Sequence, residues 1–121
     1  MLKRFSTSND LSFLDQVEDA QKVDKFTELN GFKVRITSTR LYNFKIHGIT
    51  CVSCGITGSL LAVEGPKKGR PHVNMYGFDK DGNEVLMTKD HVIPKSKGGA
   101  NHISNMQTMC ITCNMDKGNK H

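Results

Sequence analysis

The sequence has no tryptophan, only two tyrosines and three prolines, and an aromatic share of 7%. So few large side chains can fill one modest core and little more, and the 121 residues are expected to form a single fold. Long apolar runs are also missing. The longest, Leu60 to Val63, is far too short to span a bilayer, so no membrane partner is expected. Met1-Leu2-Lys3-Arg4 is followed by Ser6, Thr7, Ser8, Asn9 and Asp10, where a secretory signal would need an apolar stretch. A cytoplasmic location follows as an expectation. In that reducing compartment, four cysteines arranged as two pairs read as metal ligands before they read as disulfides.

Acidic residues are scarce beyond the first quarter of the chain. Residues 1–30 hold four basic and six acidic side chains, whereas the whole chain carries a net charge of +5. The basic remainder is the expected partner surface, and its field attracts polyanions, nucleic acid first. The acidic stretch predicts a helix. Leu11, Leu14, Val17 and Ala20 recur at helical spacing behind a cap at Asn9 or Asp10, to about Val23. Asn30-Gly31 is a turn signal, and the acidic balance ends there, which suggests a helical N-terminal extension over residues 1–37 and a second unit over 38–121. That unit is expected to open with a helix from Ser38 or Thr39, burying Leu41, Phe44 and Ile46 and capped by Gly48. Strands over His72 to Phe78 and Glu84 to Ile93 flank the turn Asp79-Lys80-Asp81-Gly82-Asn83. A flexible basic loop over Lys95 to Gly99 and a short helix from Cys113 to Gly118 complete an α+β reading.

Cys51-x-x-Cys54 and Cys110-x-x-Cys113 each form a knuckle that presents two thiolates to one ion. Together they complete a closed tetrahedral Zn2+ shell, which leaves no open position and so holds structure without doing chemistry. Catalysis, if any, must use other residues. Phosphodiester hydrolysis needs a base to deprotonate water and a hard cation to stabilise charge on the phosphate and the leaving oxygen. His91 offers an imidazole, and Asp90 with Asn114 offers the minimal oxygen pair that Mg2+ or Mn2+ accepts. Taken singly, Asn114 would equally serve as a helix cap and Asn105 as a loop residue satisfying its own backbone.

In order, however, the chain reads Asp90-His91, Lys97-Gly98-Gly99, Asn105-Met106-Gln107, Cys110-Ile111-Thr112-Cys113-Asn114 and Lys117-Gly118. This series resembles the HNH endonuclease family, in the variety with two zinc knuckles, over about Gly48 to Lys120. The resemblance implies a small zinc-stapled ββα-metal domain that cleaves DNA to 5′-phosphate and 3′-hydroxyl ends, in a prokaryotic or phage-infected host cell. By the same resemblance His91 is the general base, Asp90 and Asn114 hold the catalytic cation, and Asn105 pins the loop that orients the base. Lys89, Lys95, Lys97, Lys117 and Lys120 surround the motif and suit contact with the phosphate backbone. The first helix, with its acidic face, would be left to pack on the domain or to mediate a homodimer or a protein partner. The rival expectation is a non-catalytic zinc-stapled module that binds nucleic acid or protein through the same surface.

Overall fold

The computed structural model describes residues 2–19 and 23–118. In chain order its strands are β1 (Lys3–Ser8), β2 (Phe26–Leu29), β3 (Phe32–Arg35), β4 (Gly58–Gly65), β5 (His72–Phe78), β6 (Glu84–His91) and β7 (Met106–Cys110). The helices are α1 (Thr39–His47) and α2 (Ile111–Lys117). Five strands make one antiparallel sheet in the order β1-β4-β5-β6-β7, and β2 and β3 form a separate hairpin.

Alternation along the strands sends Leu61, Val63, Val73, Met75, Val85 and Met87 into one core. Leu41 and Phe44 of α1 pack into the same core, as do Phe13, Leu14 and Val17. Helix α1 starts where expected because the Ser38 hydroxyl accepts from the Leu41 N–H, and it stops at Gly48, whose φ of 93° only glycine adopts readily. Ile46, expected on its buried face, is instead exposed. The amide of Asn43 takes that place in the core, donating to the Thr108 hydroxyl at 3.0 Å, while Thr108 donates to the Gly48 carbonyl at 2.7 Å. These two bonds fasten α1 to β7.

The N-terminal region differs most from expectation. Only Leu11–Gln16 is helical among the described residues before α1, as a 3-10 turn capped by Asp10. The apolar period was real, since Leu14 and Val17 are buried, but the chain turns extended at Val17 and the Glu18 N–H bonds to the Ile36 carbonyl. A tertiary partner replaces the next helical turn; Ala20 lies outside the described residues. Nor do the early residues project as a helical extension: β1 is hydrogen-bonded along β4, from Lys3 opposite Gly65 to Ser8 opposite Leu61. Asn30-Gly31 is the two-residue turn of the β2–β3 hairpin, with φ of 52° and 84°, the geometry that favours an Asn-Gly pair.

The two strands that precede α2 are β6 and β7. The hairpin expected over 72–93 does form, as β5 and β6, but Met106 to Cys110 adds a further strand paired with Met87 to His91. The ββα unit is therefore β6-β7-α2. Because Phe13 is 4% exposed and sits in the shared core, Phe13→Ala should destabilise the whole domain by about 3–5 kcal/mol in chemical denaturation. An unattached extension would tolerate the change with no loss.

Candidate active site and metal centre

The four cysteines converge although Cys54 and Cys110 are separated by most of the sheet. Their Sγ atoms all lie within 4.8 Å of one another, positioned to hold a metal ion, and none is in a disulfide. The backbone builds both halves. Gly55, at φ 82°, folds the first knuckle back so that its N–H reaches the Cys51 carbonyl at 3.0 Å. Cys110 ends β7 and caps α2, its sulfur accepting from the Cys113 N–H at 3.4 Å. The Val52 N–H donates to the Thr108 carbonyl at 3.0 Å, which joins the first knuckle to the strand that carries the second.

Sulfur atoms this close cannot all ionise unaided, because each thiolate repels the next. Burial pushes the Cys51 thiol up, but backbone groups of Cys110, Cys54 and Ser53 outweigh it and bring the thiol down to about 6. Burial raises Cys110, and burial together with the Cys110 thiol drives Cys113 up to about 12. A divalent cation resolves that conflict, and the all-sulfur donor set fits structural zinc.

Strand β6 ends at His91, which answers a difficulty in the sequence: neighbours in a strand point to opposite faces. Asp90 and His91 line one open cavity of about 240 Å³ with Pro94, Lys95, Lys117 and Gly118. The Asp90 carboxylate accepts from the Gln107 amide at 3.0 Å and is in direct contact with the Lys117 ammonium. That ammonium also donates to the His91 carbonyl at 2.8 Å. His91 Nε2 lies 3.1 Å from the Asn101 amide oxygen.

Asn105 braces the segment between β6 and β7. Its side chain accepts from the Ile93 N–H at 2.9 Å and donates to the carbonyls of Ile93 at 3.0 Å and Ala100 at 2.9 Å. A Cβ at Gly99 would lie 1.7 Å from the Ile93 carbonyl oxygen, so the loop closes only with glycine there. The expected flexible stretch is a 3-10 turn over Lys95–Lys97.

Asn114 does not cap α2, a task Cys110 performs, and it does not line the cavity. Its amide nitrogen donates to the Thr88 hydroxyl at 2.9 Å and to the Lys89 carbonyl at 3.4 Å, one helical turn before Lys117. Lys97 is exposed on the loop. Lys89 points away from Asp90 into a second cavity, and burial with repulsion from Lys95 and Arg40 lowers its pKa. Lys120 lies outside the described residues. His72 also lies at that second cavity. Sequence reading assigned no role to Gln107 or Asn101. Gln107 sits directly opposite Asp90 in the β6–β7 register and follows once β7 is recognised as a strand; nothing local marks Asn101.

The HNH endonuclease family model matches residues 79–121. The matched segment covers less than half of the chain, begins in the β5–β6 turn, and contains β6, β7 and α2 entire. It includes Cys110 and Cys113 but not Cys51 and Cys54, so the thiol cluster ties the HNH segment to the residues before it. Over those residues the chain is similar to HNH endonucleases, whose family-level activity is nuclease-type. No curated protein and no solved structure gives a significant match.

A single four-thiolate shell requires about one zinc per chain in protein purified without chelator, and Cys54→Ser should lose both the metal and the fold. Zinc displaces protons from the raised Cys110 and Cys113 thiols, so zinc affinity should fall as pH is lowered. Metal analysis and circular dichroism across a pH series check both.

Proposed function

We propose that the protein is a metal-dependent DNA endonuclease that hydrolyses phosphodiester bonds by a single-metal HNH mechanism, with His91 as general base. The observation that carries this reading is the shared cavity of Asp90 and His91 at the end of β6, inside the segment that the family model matches. With His91 Nε2 3.1 Å from the Asn101 amide oxygen, the Nε2–H tautomer would donate there and leave the lone pair on Nδ1, the nitrogen that would take a proton from the attacking water. Asn105 would support the base by holding the loop on which Asn101 stands.

Asp90 and Asn114 would hold the cation. The donor chemistry fits: a carboxylate, and an amide whose nitrogen is occupied by Thr88, so that its oxygen is the end left to coordinate. When bound, Mg2+ or Mn2+ would supply Lewis-acid stabilisation of the charge that develops on the phosphate and the leaving oxygen. Lys95 and Lys117, on the cavity wall, would neutralise the substrate phosphate, and Lys89, Lys97 and Lys120 would add contacts along the backbone. The products would carry 5′-phosphate and 3′-hydroxyl ends. The free thiols and the zinc shell suit a reducing cytoplasm.

One observation favours the alternative, a zinc-stapled module that binds nucleic acid or protein without cutting. The Lys117 ammonium contacts the carboxylate that a cation would need. A cleavage assay on supercoiled plasmid decides between them. His91→Ala should keep its zinc and its DNA affinity yet cut about two orders of magnitude or more slowly, the usual contribution of a positioned base. Asp90→Ala and Asn114→Ala should weaken activation by Mg2+ or Mn2+ and leave the zinc content unchanged. A parent that binds DNA but cuts under no divalent metal would establish the binding module.

A further inference from the structure

Strands β5 and β6 pair only from Tyr76 opposite Leu86 to Phe78 opposite Glu84. Past that point they splay, and the wedge between Val73-Asn74 and Lys89 opens into a cavity of about 430 Å³ at the start of α1. Its walls carry three cationic side chains: Arg35, Arg40 and Lys89.

Arg40 is the unusual member. Its guanidinium donates to the Asn74 amide oxygen at 2.6 Å and to the Val73 carbonyl at 3.3 Å, both neutral acceptors. Its Nε is fully enclosed with no hydrogen-bond partner, and among the described residues no carboxylate forms an ion pair with it. Burial pushes its pKa down, the signature of a charge held away from water without a counter-ion. Glu64 also lines the cavity, but it is satisfied from within. Its carboxylate takes the Tyr76 hydroxyl, the Asn74 amide at 2.9 Å and the Arg4 guanidinium at 2.9 Å. A part-buried guanidinium without a carboxylate is costly unless an anion completes it, and the guanidinium fork suits phosphate oxygens.

We infer that this cavity binds a backbone phosphate of the nucleic-acid strand, flanking the phosphate at Asp90 and His91, with Arg40 and Lys89 as its principal ligands. The inference rests on the nuclease reading for the identity of the strand. Lys89 and Asp90 are consecutive near the end of β6, and because β5 pairs with β6 only up to Leu86, the edge of β6 between the two cavities is left open on that side. Ser38 and Thr39, at the opening turn of α1, line the same space and add their helix end to the positive field.

The test uses the full zinc-loaded chain and measures fluorescence anisotropy of a labelled DNA duplex without added divalent metal, across about 50 to 200 mM salt. Arg40→Gln should bind more weakly and lower the slope of log affinity against log salt by about one, the loss of one phosphate contact. Its thermal midpoint should hold or rise, because an uncompensated buried charge has been removed. Should Arg40→Gln fail to fold, Lys89→Gln tests the same site from the opposite wall. Inorganic phosphate should raise the thermal midpoint of the parent but not of Arg40→Gln. Phosphate stabilisation with an unchanged DNA slope would make this a site for free small anions and overturn the strand assignment. An unchanged slope with no phosphate effect would overturn the site altogether. A parent that cuts no DNA would refute the nuclease reading and leave the slope comparison standing as a separate result.

Discussion

Four sulfur atoms brought within 4.8 Å of one another impose the constraint on which the rest of the structure depends. Left alone they repel as they ionise; around a cation they become a joint between the turn that follows α1 and the strand that precedes α2. Helix α2 and the side chains it carries are placed relative to that joint. Asn114 follows Cys113 directly, and Lys117 stands one turn further along the same short helix. A helix of seven residues has little stability of its own, so its orientation over β6 comes from the knuckle at its start and from the bonds of Asn114 and Lys117 to β6.

The site is a balance of charges held in place by neutral amides. Gln107 and Lys117 hold the Asp90 carboxylate, Asn101 faces the His91 ring, and Asn105 holds the loop. Amides suit this work because each offers a donor and an acceptor and adds no net charge to the site. Lysines supply the positive field at the rim, and Arg40 supplies it from within the sheet's open wedge.

Much of this was legible in the sequence, for reasons that are local. Ser38 and Gly48 bracket α1 because a cap and a positive φ are short-range requirements, and the turn at Asp79 to Asn83 is closed by Asp79's own carboxylate. Paired cysteines show themselves by spacing, and Asp90-His91 by order within a motif. The misses are non-local. The chain leaves its helix after Val17, where the Glu18 N–H bonds to the Ile36 carbonyl, and β1 becomes a strand only because β4 is there to receive it. Met106 to Cys110 was obscured by its double role, as a strand against β6 and as the lead into a knuckle. Asn101 and the unpaired wedge beside Lys89 depend on where strands part, which no periodicity encodes.

The pairing of β1 with β4 also sets an order of assembly. Lys3 lies opposite Gly65, so β1 leaves the ribosome well before β4 and must wait for its partner to emerge. Contacts of such long sequence separation form slowly, and Cys110 and Cys113 arrive later still. Until those partners arrive an unpaired β1 and the Cys51 and Cys54 thiols are exposed, which is when the nascent protein is most open to aggregation and to oxidation. The cavity of Asp90 and His91 also needs Lys117 and Gly118, so it cannot assemble before α2 has been made.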